Sequence, residues 1–289
     1  MIDLIRIAVI PTAGLGTRLL PATKQQPKEM LPVFAKTASG RLFLKPVVQL
    51  VFERLYDVGI RQFCFVVGRG KRSIEDQFTL DLGFMTRLRE TADPQLVKEM
   101  DRFYQRVRNS HIAFINQPEP IGFGDAVLRA ENFTNRNPFI VHAGDDLILS
   151  RRPSGSVDRL IAALDTYKVD AAFLVQNVKD PSKYGVIEGD RIAPRTYRVS
   201  HVKEKPRHPK SKLAIVALYA FDERIYSCIK AARGPKHREV ELTDAIERLI
   251  QDGGKVYALQ LMPEETRVEV GTPGSYSNAL KMTMGTQFR

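Results

Sequence analysis

The sequence predicts an α/β protein with a doubly wound, mainly parallel (Rossmann-like) sheet and a smaller mixed β region in its C-terminal half. Up to about residue 180, short β-branched and aromatic runs alternate with helical patterns. That alternation is typical of right-handed crossovers between parallel strands. Beyond residue 180 the apolar runs are joined by turn signals, which is typical of antiparallel pairs.

The strands of the first half are predicted from apolar runs of five to eight residues. They are Ile5–Thr12, Gln62–Val67, His111–Asn116, Phe139–Ala143 and Ala171–Gln176. Helices are expected between them. In Pro46–Val58 apolar side chains recur at helical spacing, and Gly59 supplies a stop. A further helix is expected over Asp93–Arg108, with Asp93 as its cap and Pro94 at its first position.

The second half has a different pattern. In YGVIEGDRI two apolar runs flank Gly189-Asp190, which predicts a hairpin with its turn at those residues. The other elements are strands at Tyr197–Val202, Leu213–Phe221 and Lys255–Leu261, a basic loop at Lys203–Lys212, and helices at Thr243–Gln251 and Pro273–Thr283. Nothing in the sequence resembles a long linker, so a single domain over residues 1–289 is expected.

The composition restricts the class of partner. The formal net charge of +11, from 44 basic and 33 acidic residues, favours an anionic partner without choosing among nucleotide, nucleic acid and membrane surface. The sequence has no apolar run approaching the roughly 18 residues of a membrane span, and no aromatic-interleaved basic motif that indicates nucleic acid. Cys64 and Cys228 suit a reducing interior, so a cytoplasmic protein is expected, and the spacing leaves open whether they are bridged.

The loop after the first strand, PTAGLGTRLLPATKQQPKEMLP, carries the strongest chemical signal. Gly14 and Gly16 would let backbone amides approach a phosphate chain. Arg18, Lys24 and Lys28 would supply fixed cations for a polyphosphate reaction. The loop lacks the third glycine of the dinucleotide fingerprint and the Gly-Lys-Ser/Thr of a P-loop, which disfavours both of those classes. The alternative is a solvated basic loop.

Two further motifs follow predicted strands. Asp145 and Asp146 follow an apolar strand. At this position their carboxylates could bind Mg²⁺, or they could simply cap a turn. Gln117 ends another strand before a Pro- and Gly-rich turn, and its amide could read a base edge or cap that turn. The residues alone leave both choices open.

In their order, these motifs resemble those of the sugar-1-phosphate nucleotidylyltransferases, and most closely the prokaryotic UTP–glucose-1-phosphate uridylyltransferases. The stretches that carry the resemblance span residues 13–276: AGLGTRLLPATKQQPKEMLP, GRGKRSIEDQF, QPEPIGFGDAV, GDD, KYGVIE, KEKP, LAIVALYAF, EVELTDAI and VGTPGSY. The first is highly specific, and its PATKxxPKEMLP portion is typical of the uridylyltransferase branch. The later ones are individually weak.

The resemblance implies a role for each matching residue. Arg18 and Lys28 would be catalytic, offsetting charge on the reacting phosphates, and Asp145 with Glu269 would hold Mg²⁺. The nucleotide would be bound by Ala13, Gly14, Gly16, Thr17, Lys24, Glu29, Gln117 and Gly122, of which Glu29, Gln117 and Gly122 meet the uracil. The sugar phosphate would be bound by Gly185, Glu204 and Lys205. The nucleotide-binding portion would then cover about residues 1–180 and the sugar-phosphate-binding portion about 181–289.

The activity implied by the resemblance is transfer of the uridylyl group from UTP to glucose 1-phosphate. UDP-glucose and pyrophosphate would form by Mg-assisted in-line attack on the α-phosphorus. The family resemblance also implies a homo-oligomer, a dimer or tetramer. From the missing apolar span and the missing basic motif, neither membrane nor nucleic acid is expected as a partner. The alternatives are a transferase for dTTP or for another sugar 1-phosphate, and a catalytically silent nucleotide-binding homologue.

Two departures from the family pattern support those alternatives. Relatives usually carry aspartate where Glu269 stands, and the extra methylene moves the carboxylate oxygens by about a bond length, which matters for Mg²⁺. Uridylyltransferases commonly show a glycine-arginine pair where this chain has Ala217-Leu218, near the expected sugar pocket.

Overall fold

The computed structural model describes residues 5–36, 40–150, 155–233 and 239–285. The strands are β1 (Ile7–Pro11), β2 (Pro32–Lys36), β3 (Leu42–Pro46), β4 (Gln62–Val67), β5 (His111–Asn116), β6 (Phe139–His142), β7 (Asp146–Leu149), β8 (Ala171–Asn177), β9 (Gly185–Ala193), β10 (Thr196–Glu204), β11 (Leu213–Phe221), β12 (Val256–Gln260) and β13 (Thr266–Glu269). The helices are α1 (Val47–Asp57), α2 (Arg72–Gln77), α3 (Leu82–Thr91), α4 (Pro94–Arg108), α5 (Phe123–Arg129), α6 (Glu131–Thr134), α7 (Gly155–Tyr167), α8 (Arg224–Ala232), α9 (Leu242–Gln251) and α10 (Pro273–Gly285). Short 3₁₀ turns lie at Thr17–Leu19, Ala22–Lys24, Lys28–Met30 and Pro181–Lys183.

Within the described ranges, nine strands form one sheet in the order β5-β4-β1-β6-β11-β8-β12-β10-β9. The first four strands are parallel, as predicted for the N-terminal half. From β6 onward the sheet is mixed: β11 runs antiparallel to both β6 and β8, whereas β12 is parallel to β8. The prediction of a mainly parallel sheet is therefore correct only for the N-terminal part, and β8 belongs to the mixed part.

The mixed part closes on itself. Strand β10 pairs with both β12 and β9, and β9 also meets β11 through Val186 and Ala214. The five strands β11, β8, β12, β10 and β9 thus form a closed ring, which removes the open edge that β9 would otherwise present. The expected smaller β region is continuous with the main sheet.

The predicted hairpin at Gly189-Asp190 is wrong in its turn position. Residues 185–193 form one continuous strand, and the turn to β10 lies at Pro194-Arg195. An added Cβ at Gly189 would lie 2.1 Å from Arg198 O, and the register shifts between Val199 and His201. Glycine here permits close approach of the neighbouring backbone beside a bulge, and it does not mark a turn.

Apolar side chains on both faces of the sheet are buried beneath helices. Along β1, Ala8 and Ile10 belong to one buried cluster with residues of α1 and α4, whereas Ile7 and Val9 belong to another with residues of α5 and α9. This two-residue period, covered on both sides, confirms the doubly wound arrangement. Asp93 caps α4 as predicted, accepting from Gln95 N at 2.8 Å.

The two cysteines are free and buried. Burial raises the pKa of the Cys64 thiol to about 12, so this thiol is unreactive at neutral pH. None of the described helices is long and apolar enough to span a bilayer.

The fold places the predicted motifs at one edge. The parallel strands β1, β4, β5 and β6 end, respectively, at the glycine loop, at Gly68, at Gln117 and at Ala143-Gly144. Parallel sheets bind ligands outside these carboxyl ends. A two-stranded ladder of β7 and β13 then brings Glu269 opposite Asp146.

Candidate active site

A cavity of about 450 Å³ opens at this carboxyl edge. Eleven of the fifteen predicted site residues line it: Ala13, Gly14, Gly16, Thr17, Arg18, Lys28, Glu29, Gln117, Gly122, Asp145 and Lys205. A second cavity of about 180 Å³ contains Gly185 and Glu204. The side chains of Phe123 and Glu241 line both cavities, so the two form adjoining compartments.

Lys24 and Glu269 line neither of these two cavities. Lys24 is exposed on the 3₁₀ turn Ala22–Lys24, so its role toward a nucleotide stays a prediction. Glu269 lies close by: an added Cβ at Gly271 would be 3.1 Å from Arg18 Nη2 and 3.9 Å from Glu269 Oε1. Arg18 therefore lies between the glycine loop and the Glu269 strand.

The glycine loop owes its shape to Gly16. This residue has φ +66°, in the left-handed region that side chains disfavour, and it is followed directly by the turn Thr17–Leu19. Thr23 Oγ1 donates to Gly16 O at 2.8 Å, and this hydrogen bond joins the turn Ala22–Lys24 to the glycine turn. Backbone amides and the Arg18 side chain are thereby presented to the larger cavity.

Lys28 and Asp145 form an ion pair on the cavity wall, with Nζ 2.5 Å from Oδ2. Burial acts to lower the pKa of Lys28, but the carboxylates of Asp145 and Glu29 outweigh it, and this pKa lies above its ordinary value. Burial acts to raise the pKa of Asp145, yet Lys28 holds that pKa below its usual range. Both groups are charged at neutral pH.

Arg267 links two carboxylates beside this pair. Its Nε donates to Asp146 Oδ2 at 2.7 Å, and its Nη2 lies 3.0 Å from Glu269 Oε2. The second oxygen of Asp146, Oδ1, is buried without a hydrogen-bond partner among the described residues. Burial raises the pKa of Asp146 to about 6, although Arg267 opposes the shift. Arg267 thus holds the carboxylate of Glu269, which extends one methylene further from the backbone than the carboxylate of an aspartate would.

The donor set suits a divalent cation that completes its shell with substrate oxygens. Among the residues that the structure describes, there is no group of three or more His, Cys, Asp or Glu side chains that could hold a metal alone. Asp145 on the cavity wall and Glu269 near Gly271 offer carboxylate oxygens, which hard cations prefer. An octahedral ion such as Mg²⁺ would need further oxygen ligands beyond these two carboxylates.

Gln117 is buried and lines the larger cavity. Its Nε2 donates to Asp125 Oδ2 at 2.9 Å and to Gly122 O at 3.1 Å. Because both partners are acceptors, the orientation of the amide is fixed and Oε1 points away from them. Gly122 has φ +115°, and an added Cβ would lie 2.6 Å from both N and O of Val240. Only glycine fits this close backbone approach.

Glu29 is buried between two lysines. Its Oε2 accepts from Lys71 Nζ at 3.0 Å, and Lys28 is its sequence neighbour. Burial raises the pKa of Glu29, opposed by Lys71 and Lys28. Lys71 comes from the GRGKRSIEDQF stretch, which carries the resemblance without a predicted role for this residue.

The smaller cavity is lined by residues from β9, β10, β11 and the start of α9. Glu204 accepts from Thr243 Oγ1 at 3.1 Å, and Lys205 Nζ lies 2.9 Å from Glu204 Oε1. Lys205 has φ +39°, a left-handed conformation that a lysine seldom adopts, and its amide donates to Tyr184 O. The hairpin strands thus fix a carboxylate and an ammonium side by side.

A family model described as Nucleotidyl transferase matches residues 7–284. The chain belongs to the nucleotidyl transferase family. The chain is 37% identical over 249 residues to UTP–glucose-1-phosphate uridylyltransferase YngB of Bacillus subtilis, covering 85% of this chain and 79% of that protein. It is 36% identical over 253 residues to UTP–glucose-1-phosphate uridylyltransferase 2 of Streptococcus pyogenes, covering 85% and 80%. A solved UDP-glucose pyrophosphorylase in complex with UDP-glucose superposes with a TM-score of 0.82 at 26% identity, covering 97% of this chain and 98% of that one.

These comparisons confirm the resemblance found in the motifs, and this nucleotidyl transferase has the fold of its relatives along nearly its whole length. Nucleotidyl transferases of this kind generally use a divalent metal ion. The donor set of Asp145 and Glu269 is consistent with that property.

Sequence reasoning missed several residues that lie on or beside the walls of the two cavities. Arg267 could have been predicted, because it lies two positions before Glu269 on one strand and therefore on the same face of that strand. Glu239 and Glu241 lie on the cavity wall, within the EVELTDAI stretch, for whose residues the resemblance predicts no role. The sequence around Phe123 does not predict a place in the cavity wall, because this residue reaches the cavity through the packing of α5.

Proposed function

We propose that this nucleotidyl transferase transfers the uridylyl group of UTP to glucose 1-phosphate, giving UDP-glucose and pyrophosphate. The observation that carries the proposal is the pair of adjoining cavities. One joins a buried amide to a cationic glycine loop, and the other is lined by Glu204, whose carboxylate is fixed beside the Lys205 ammonium of the first. The names of the relatives support the same substrates.

Base recognition would rest on Gln117, Gly122, Ala13 and Glu29. Uracil carries one ring N–H donor flanked by two carbonyl acceptors. With its amide nitrogen engaged by Asp125, Gln117 offers Oε1 as an acceptor for that N–H. Backbone amides of the glycine loop, at Gly14, Gly16 and Thr17, would bind the triphosphate, with Lys24 as a peripheral cation.

The proposed reaction forms no covalent bond between the protein and a substrate. A phosphate oxygen of glucose 1-phosphate attacks the α-phosphorus in line, an O–P bond forms, and the bond to the bridging oxygen of the pyrophosphate breaks. The nucleophile is already anionic, so neither a protein nucleophile nor a general base is needed. Arg18 and Lys28 offset the charge that develops as pyrophosphate leaves, in a site that already holds them in place.

Asp145 and Glu269 would hold Mg²⁺, which would supply charge neutralisation at the reacting phosphates when bound. Lys205 would bind the phosphate of the sugar phosphate, and Glu204 with the wall at Gly185 would accept from sugar hydroxyls. In this proposal residues 1–180 chiefly serve the nucleotide, and residues 181–289 chiefly serve the sugar phosphate. A homo-oligomer and a cytoplasmic location remain predictions.

One observation favours a second candidate, transfer to a different sugar 1-phosphate. Ala217 lines the smaller cavity, and the Leu218 side chain is buried in the core. Where uridylyltransferases commonly show glycine and arginine, this chain therefore presents an extra methyl group at the cavity and no guanidinium. Both changes alter the compartment in which the sugar would lie.

The proposed function is tested by incubating the protein with UTP, glucose 1-phosphate and Mg²⁺ and measuring pyrophosphate and UDP-glucose together. Equal amounts of both products are expected, and Asp145→Asn, which keeps the shape and removes the charge, is expected to lose turnover. Pyrophosphate without UDP-glucose would show hydrolysis instead of transfer and would reject the proposal.

A further inference from the structure

Glu241 occupies a position that its residue type does not explain locally. It is the N-cap of α9, where Ser, Thr, Asp or Asn would stabilise the helix, and its side chain makes no capping hydrogen bond. The carboxylate instead lies on the wall shared by the two cavities, with 25% of the side chain exposed. A residue that fails its local structural role and faces ligand space is a candidate for a functional one.

The surroundings of Glu241 are acidic. Lys205 Nζ lies 2.9 Å from Glu204 Oε1 and 3.7 Å from Glu241 Oε1, so one ammonium lies between two carboxylates. Burial raises the pKa of Glu241, and the charge of Glu204 raises it further. The hydroxyl of Thr243 fixes Glu204 from behind. If Lys205 turns to a substrate phosphate, two carboxylates are left facing the sugar.

We propose that Glu241 is a specificity-determining residue, which together with Glu204 selects uncharged or cationic sugar 1-phosphates and rejects those with a carboxylate on the sugar ring. The inference rests on the proposed function, since it concerns the sugar of the same reaction. The carboxylates of Glu204 and Glu241 accept hydrogen bonds from sugar hydroxyls, whereas a uronic acid would add a third negative charge beside them. Lys205 would be engaged by the phosphate, and Lys183, which also lines the smaller cavity, is paired with Asp180 at 2.9 Å. Rejection by like charge is a common means of discriminating between otherwise similar ligands.

The test compares kcat/KM for glucose 1-phosphate, glucuronic acid 1-phosphate and glucosamine 1-phosphate, with UTP as the common donor, in the wild type and in Glu241→Gln. Glutamine keeps the shape and the acceptor oxygen while removing the charge. We expect kcat/KM for the glucuronic acid substrate, relative to glucose, to rise roughly tenfold. The relative value for glucosamine 1-phosphate is expected to fall, because its ammonium loses an attractive partner. Simple structural damage would not move the two ratios in opposite directions.

Glu239→Gln is the matched control. It removes the same charge two residues away, on the wall of the larger cavity but not of the smaller one. Both ratios are expected to stay within about twofold of the wild type, since surface charges are strongly screened.

The outcomes distinguish failure of the role of Glu241 from failure of the proposed function. If the wild type uses glucose 1-phosphate and both ratios are unchanged in Glu241→Gln, the role of Glu241 is rejected and the proposed function stands. If both variants shift the ratios equally, general electrostatics and not Glu241 sets the selectivity, which also overturns the inference. If the wild type transfers uridylyl to none of the three sugar phosphates, the proposed function itself fails.

Discussion

Lys28 Nζ lies 2.5 Å from Asp145 Oδ2, although the two residues are 117 positions apart in the sequence. The pair joins the glycine loop after β1 to the acidic turn after β6. A reaction between phosphates needs both a cation for developing charge and a carboxylate for a metal ion. The fold itself places these two groups in contact, because the glycine loop and the acidic turn meet at the same edge of the sheet.

Lys28→Ala is expected to lower kcat by roughly 10²-fold or more, because it removes charge stabilisation that matters most in the transition state. Equilibrium binding of UTP should weaken by much less. Steady-state kinetics and direct titration with UTP measure the two quantities separately. Lys24→Ala makes the same change in the same loop at an exposed residue and should lower kcat far less. Equal losses of turnover and UTP binding in Lys28→Ala would contradict the assignment.

Lys71→Met is expected to destabilise the protein by about 3 kcal/mol, because the buried carboxylate of Glu29 would lose its partner. Urea unfolding at pH 7 measures the change in free energy. In the double variant Glu29→Gln, Lys71→Met, part of the loss should be recovered, since no charge is then left buried. Purely additive effects of the two substitutions would show that the ion pair is not the cause.

Gly122→Ala should cost far more stability than Gly70→Ala. Both residues have positive φ, +115° and +79°, so both variants carry backbone strain of about 1–2 kcal/mol. Only at Gly122 would the new methyl group also lie 2.6 Å from the backbone of Val240, whereas nothing lies within 4 Å at Gly70. Thermal unfolding compares the two variants. Similar losses would mean that the Val240 segment can move aside.

His142 is expected to make the protein sensitive to acid. Burial lowers its pKa from 6.5 to about 4, and Nδ1 lies 2.9 Å from Ala143 O, which fits a neutral ring that donates to this carbonyl. Between these two pH values the folded state binds fewer protons than the unfolded state. The stability due to neutral His142 is therefore fully present above pH 6.5 and is lost as the pH falls to 4.

The size of this effect is measured by urea unfolding at pH 7 and pH 4 in the wild type and in His142→Asn, whose amide can still donate to Ala143 O. The wild type should lose about 3 kcal/mol more than the variant over this range. Comparing the two proteins removes the opposite contribution of Asp146, whose raised pKa of about 6 makes stability fall as the pH rises. Parallel pH dependence in both proteins would contradict the assignment to His142.

The sequence predicted local elements well where a pattern is complete within one segment. The observed bounds of Gln62–Val67 and His111–Asn116 match the prediction, because their apolar runs are flanked by polar or glycine residues. The Asp93 cap was predictable because a helix start is encoded in consecutive residues. The glycine loop was likewise predictable as a local feature, since its glycines and cations lie within one stretch.

What the sequence could not predict depends on contacts between distant segments. The direction of β11, which lies between β6 and β8, is decided by packing, and no residue within Leu213–Phe221 indicates it. In the sequence Gly189 resembles a turn residue. Only the structure shows that glycine is needed there because the backbone of Arg198 packs closely against it. The ion pair of Arg267 with Asp146 requires the β7–β13 ladder, which joins residues 121 positions apart.

The most direct test of the central claim is a matrix of kcat/KM values for UTP, dTTP and CTP, each with glucose 1-phosphate, galactose 1-phosphate and N-acetylglucosamine 1-phosphate. The pyrophosphate released is measured in every case. We predict that UTP with glucose 1-phosphate is the best pair, by roughly tenfold or more over any other. CTP presents different donors and acceptors to Gln117, and dTTP adds a methyl group to the base and lacks the 2′-hydroxyl. A different best pair, or no release with any pair, would contradict it.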